Sequence, residues 1–133
     1  HDLGLSEFVT FINGLPHNEA IIKLSTSDLF LLPSIGEGIS NAVLEAMAMG
    51  IPVISTDCGG MTEIIKDEEN GFIVPVRNPQ AIVNAIYKFI NMKYDVKERL
   101  INLAKEKIRL DHNLSDQVTK ILNLYNKNYL QLF

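Results

Sequence analysis

The chain has a single cysteine, Cys58, among 133 residues. That excludes an intrachain disulfide framework and a cysteine metal site. A lone thiol fits a reducing compartment, though a secreted protein can carry one too. No apolar run approaches the roughly 20 residues that a membrane-spanning helix needs. Residues 1–7 are polar-mixed, with no basic segment followed by an apolar one, so they do not read as a secretory leader. Basic residues are the minority: 12 Lys and Arg stand against 16 Asp and Glu, for a formal net charge of -4. This balance argues against nucleic acid or an anionic membrane surface as the main partner. There is no internal repeat, no low-complexity segment, and no cluster at metal-ligand spacing. An initiating methionine is also lacking, and "HDLGLSEFVTF" enters as if from the end of a helix. The chain is therefore expected to be a piece of a longer protein.

What is present is the composition of one globular domain, 47% hydrophobic and 21% charged. A chain of this length can bury about two-thirds of its unfolded surface. Residues 8–12, "FVTFI", are β-branched and aromatic and end at "NGLP", which predicts a strand and a turn. Ala20, Ile21 and Leu24 then mark a short amphipathic helix. The apolar run "DLFLL", stopped by Pro33, reads as a buried parallel strand. Ser40 is placed to cap a helix with Val43, Leu44, Met47 and Ala48 inward and Gly50 at its end. "PVIST" is a further strand, "DCGG" a turn, residues 60–66 a short helix, and "NGFIVP" a turn with a last strand. The pattern over residues 1–77 predicts an α/β fold, a Rossmann-like parallel sheet flanked by helices. Residues 78–133 read as a helical tail within the same partial domain. Its first helix opens with an Asn cap and proline, a second carries Leu100, Leu103, Ala104 and Ile108, and a third Val118, Ile121, Leu122 and Tyr125.

In an open parallel sheet, ligands sit beyond the carboxyl ends of the strands. The loops "NGLPHN", "PSIGEGIS" and "STDCGG" are all expected on that rim. A helix N-terminus leaves amides unpaired and carries about half a positive charge, so the amides of Gly38, Ile39 and Ser40 suit a phosphate. Two carboxylates, Glu37 and Glu45, flank this end. They would repel an anion unless aimed past it at neutral groups. Vicinal hydroxyls qualify, because an ionised carboxylate only accepts and can take two donors. A phosphate with hydroxyl-bearing groups on both sides describes a nucleotide sugar. Acids near helix N-termini are also common for a plainer reason, since they stabilise the dipole.

The whole run "PSIGEGISNAVLEAMAMGIPVISTDCGGMTEII" is more specific than the acid pair. It resembles the donor-binding region of retaining glycosyltransferases of the GT-B fold, family 4. The matching features are Glu37 and Glu45 with seven residues between them, Ala46-Met47-Ala48, Gly50 with Pro52-Val53-Ile54, and Gly59-Gly60 before Glu63. The resemblance extends over about residues 3–90 and implies the donor-binding C-terminal domain of a hexosyltransferase-type enzyme. Such an enzyme moves a sugar from a nucleoside diphosphate to an acceptor hydroxyl without a bound metal or other cofactor. It implies Glu37 as the catalytic residue near the reacting carbon and Gly36, Gly38, Ile39 and Ser40 around the sugar and diphosphate. Glu45 is implied at the ribose, with Gly14 and Leu15 at the base. Ser40 and Asn41 stand where many members have Gly-Leu. The Arg and Lys that neutralise the leaving diphosphate in the family lie upstream of the matched region, as does the domain that binds a sugar or glycolipid acceptor. The isolated piece is therefore expected to be inactive; the full protein is expected to be cytoplasmic, with peripheral attachment to the membrane left open. The alternatives are a non-catalytic nucleotide-sugar-binding module, a GT-B nucleotide-sugar epimerase, and a ligand-free scaffold. The run from Ala46 to Ile54 speaks against the epimerase.

Other residues carry weaker signals. Cys58 has no neighbouring histidine in sequence and is not read as a nucleophile. His17 follows Pro16 at a helix start and reads as a cap or surface residue, with a contact near the base as the alternative. Glu63 reads as a helix-end or turn residue, "IKDEEN" as a solvated turn, and His112 as a solvated turn residue. Met47 and Met49 read as packing.

Overall fold

Phe30–Leu32 (β1), Val53–Thr56 (β2) and Phe72–Val74 (β3) form a parallel sheet in the order β1-β2-β3. This computed structural model describes residues 3–113 together with 115, 116, 118, 119, 122 and 123. Leu31 stands opposite Ile54, and Ile54 opposite Phe72. Five helices accompany the strands: His17–Ser25 (α1), Asn41–Met49 (α2), Met61–Ile64 (α3), Pro79–Asn91 (α4) and Tyr94–Asp111 (α5).

Alternation along the strands divides the core in two. Phe30, Leu32, Val53 and Ile73 pack with Val43 and Met47 of α2, Met61 and Ile64 of α3, and Ala104 of α5. Ile54, Phe72 and Val74 pack with Ala85, Ile82 and Phe89 of α4 and Leu100 of α5. The rings of Phe72 and Phe89 meet edge to face, 6.4 Å between centroids. Each fully buried large side chain, such as Ile54 or Met47, is worth about 1.5–3 kcal/mol.

Local chemistry sets the helix ends that matter for the site. Gly50 takes the left-handed conformation at φ 81°, and the amides of Gly50 and Ile51 return to the carbonyls of Met47 and Ala46. This Schellman closure stops α2 and turns the chain straight into β2. The Asn78 side chain accepts from the Ala81 amide at 3.0 Å and caps α4.

Several expectations are corrected. Residues 8–12 are not a strand: Phe8 and Phe11 are 83% and 90% exposed, and the amides of Phe8 and Val9 bond back to Leu5 in a turn. A strand exists only through a neighbour that shares its ladder, and among the described residues that segment has none. Ala48 faces solvent and Ala46 takes the buried position, because the inward stripe of α2 runs through Val43, Ala46 and Met47. Ser40 is the cap residue of α2 by position, but its side chain makes no capping hydrogen bond. In the tail, Ile121 and Tyr125 of the expected third helix lie outside the described residues, while Val118 and Leu122 are exposed.

Candidate functional site

Parallel strands deliver their carboxyl ends to one rim. There the loops of residues 33–40, 57–60 and 75–78 are tied together through β2. The Thr56 hydroxyl donates to the Ser34 carbonyl at 2.5 Å. The Asp57 amide donates to the Val74 carbonyl at 2.9 Å, and Asp57 Oδ1 accepts from the Val76 amide at 2.9 Å. The central loop is thus bonded to both neighbours.

The glycine turn does more than change direction. Gly59 sits at φ +55°, and a β-carbon there would collide with the Glu37 carbonyl oxygen. A β-carbon on Gly60 would come within 2.7 Å of Ile39 Cγ1. Two residues without side chains let the loop carrying Glu37 rest on the turn behind it. Gly36 and Gly38, by contrast, face open space. The Glu37 side chain is exposed and has no ion pair or hydrogen-bond partner among the described residues.

The N-terminus of α2 opens beside it. The Ser40 carbonyl accepts from the amides of Val43 and Leu44 at 3.1 and 3.2 Å. The amides of Gly38, Ile39 and Ser40 donate to no described residue. Because the Ser40 side chain makes no capping bond, the first-turn amides of Asn41 and Ala42 are left without a described partner as well, at the positive end of the helix dipole.

Glu45 lies five residues past Ser40, about 7 Å along the axis. Its side chain is half-buried, and Oε1 is 3.4 Å from Nε2 of His17. This contact brings α1, and with it the loop of Gly14 and Leu15, to the flank of α2. Gly14 sits at φ +64° facing open space. Leu15 is 38% exposed and lines a hollow of about 400 Å³ with Ile12, Glu19, Ile22, Lys23 and Thr26, which includes neither glutamate of the pair. His17 makes no capping bond to α1, and its side chain is exposed apart from the contact with Glu45.

Thus Glu37, Gly36, Gly38, Ile39 and Ser40 share one loop against Gly59-Gly60, and Glu45 sits further along the same helix with His17 beside it. Sequence reasoning missed Thr56 and Asp57 as the rim's fasteners. Their signal was a polar pair spanning the end of a fully buried strand, Thr56 as its last residue and Asp57 just beyond. It also missed the His17–Glu45 contact, which no spacing within one helix encodes. Cys58 is buried beside this rim, 3.4 Å from the Thr56 hydroxyl. Among the described residues no group of three or more His, Cys, Asp or Glu could hold a metal ion. No helix among them is long and apolar enough to cross a membrane.

A parallel sheet with helices over it and loops gathered at its carboxyl ends is an open α/β arrangement, in which ligands sit at that rim. The family described as Glycosyl transferases group 1 matches residues 1–107. The chain belongs to that family, as a C-terminal domain of the GT-B fold. It is 38% identical over 104 residues to the putative colanic acid biosynthesis glycosyltransferase WcaL of Salmonella typhimurium, covering 74% of this chain and 26% of the relative. The chain thus spans about a quarter of that relative's length. Among solved structures it is similar to the C-terminal domain of the group 1 glycosyl transferase LpcC from Francisella tularensis. That match has a TM-score of 0.71 and 27% identity over 84% of this chain and 57% of the other. It is also similar to a point mutant of S. aureus TarM in complex with fondaparinux, α-GlcNAc-glycerol and UDP, with a TM-score of 0.79 and 25% identity over 94% of this chain and 25% of TarM.

Proposed function

We propose that this domain binds a nucleoside diphosphate sugar and that the protein carrying it transfers the sugar, with retention of configuration, to an acceptor hydroxyl. The observation that carries the reading is the open mouth of α2: three amides without described partners, with one free carboxylate ahead of them and a second on the helix behind. The amides of Gly38, Ile39 and Ser40 would receive the diphosphate, with Gly36 leaving room for the sugar. Glu45 would accept from the ribose hydroxyls, and Gly14 and Leu15 would meet the base. Glu37 would place the sugar and stabilise positive charge as it develops at the reacting carbon.

Such a transfer depends on charge already in place where the leaving group departs, a contribution of several kcal/mol. The helix mouth supplies part of it. The loops of residues 13–16, 33–40, 57–60 and 75–78 contain no lysine and one arginine, Arg77. We therefore assign the remaining counter-charge, and the sugar or glycolipid acceptor, to another domain of the whole protein, and this chain alone would bind without turnover. A hexosyl donor, the absence of any metal requirement and a cytoplasmic site of action belong to the same proposal. The relatives support it: TarM was solved with UDP, and WcaL is named for colanic acid biosynthesis.

Calorimetric titration of the chain with UDP, GDP and ADP, and with their sugars, tests the reading. Binding of one base series is expected, weakened about tenfold or more by Glu45→Ala. Binding of none would leave a scaffold without this ligand.

A further inference from the structure

We infer that His17 is a positioning residue for Glu45, orienting its carboxylate toward the ribose hydroxyls. This inference rests on the donor-binding reading above. A glutamate side chain has three torsions and, half-exposed, would sample several rotamers. Helices usually restrain such a group with an oppositely charged neighbour three or four positions away. At those positions α2 offers Asn41, Ala42, Ala48 and Met49, and Glu45 is its only charged residue. The group that meets the carboxylate comes from another element: Nε2 of His17, 3.4 Å from Oε1, on the first residue of α1.

With its proton on Nε2, a neutral imidazole can direct that N–H at the carboxylate, and an imidazolium adds charge. In either state the contact at 3.4 Å involves Oε1 alone, at ion-pair distance, and leaves Oε2, with the remaining lone pairs, for hydroxyl donors. Pro16 fixes the approach. Its carbonyl accepts from the amides of Glu19 and Ala20, both at 3.0 Å, so the start of α1 is set before the imidazole reaches across. His17 touches no reacting atom; it acts through Glu45.

A role confined to docking α1 on α2 would affect every ligand alike. A role in aiming Glu45 would change how the domain tells ribose from deoxyribose. The experiment titrates wild type, His17→Ala, His17→Gln, Glu45→Ala and the His17→Ala/Glu45→Ala double variant. The ligands are UDP, GDP and ADP, each beside its 2′-deoxy counterpart. Wild type is expected to favour the ribonucleotide about tenfold or more, the scale of hydrogen bonds to a charged acceptor. His17→Ala should cut that preference at least threefold. His17→Gln, which restores an N–H donor, should recover most of it. In the Glu45→Ala background His17→Ala should add nothing. Equal weakening of both sugars, or an unchanged preference in His17→Ala while Glu45→Ala abolishes it, overturns the inference and leaves nucleotide binding standing. Failure of wild type to bind any of these nucleotides overturns both.

Discussion

The Glu37 carbonyl oxygen occupies the space that a β-carbon on Gly59 would need. The loop bearing the candidate catalytic carboxylate is therefore shaped by a glycine on a different strand connection, twenty-two positions later.

Gly59→Ala should be costly for two reasons. Alanine at φ +55° is strained, and the collision is with backbone, which cannot rotate away. A loss of about 2 kcal/mol or more is expected, read as a lower midpoint in denaturant melts. On the proposed donor-binding role, binding of a nucleotide sugar should fall more than binding of the bare nucleotide, because Glu37 is the residue proposed to meet the sugar.

Thr56→Val keeps the shape of the side chain and removes the hydroxyl that donates to the Ser34 carbonyl at 2.5 Å. The expected loss is about 1–2 kcal/mol in equilibrium unfolding. A variant as stable as wild type would show that the Ser34 loop is held against β2 without this bond.

Asn70 should prove more important than its place in an "NG" turn suggests. It is 4% exposed; its Oδ1 accepts from the Lys66 amide at 2.8 Å and its Nδ2 donates to the Ile64 carbonyl at 3.1 Å. Asn70→Ala strips both bonds from a buried turn and should cost about 2–3 kcal/mol by thermal or chemical melting. Asn70→Asp keeps the acceptor but turns a carboxylate oxygen toward the Ile64 carbonyl in a buried turn, and should cost at least as much.

Glu106 and Arg109 give a pH test. Two hydrogen bonds from Arg109, at 3.0 and 2.6 Å, hold the Glu106 carboxyl below the usual carboxylate range. A lowered folded-state value contributes stability above the unfolded-state value, lost as pH falls through the folded one. Glu106→Gln should therefore be slightly less stable than wild type at neutral pH, with the difference vanishing in acid. The pair is on the surface, so salt should shrink the difference as well. Paired urea melts at two pH values measure it.

Much of this architecture was legible because its signals are local. Gly50 ends α2, Asn78 and Pro79 open α4, and the unbroken apolar "PVIS" marks a strand buried on both faces. The glycine turn and the two glutamates were legible as a pattern, and the sheet brought Glu37 onto the Gly59 turn. What could not be read depends on partners distant in sequence. "FVTFI" has the composition of a strand but, among the described residues, no neighbour to pair with. Ser40 has a capping side chain, yet α2 begins without its bond. The purpose of Asn70 appears only once Ile64 and Lys66 curl around it, and that of His17 only once α1 lies against α2.

Coverage of the sheet is uneven. Helix α4 shields β2 and β3, whereas β1, one of the two edge strands, leaves Leu31 38% exposed. Solvent deuterium should accordingly reach the amides of Phe30–Leu32 well before those of Val53–Thr56. Breathing of the sheet would then start at the strand that leads directly into Glu37. The fastenings from Thr56 and Gly59 would act as a brake on that motion, keeping the acid in register while its own strand frays.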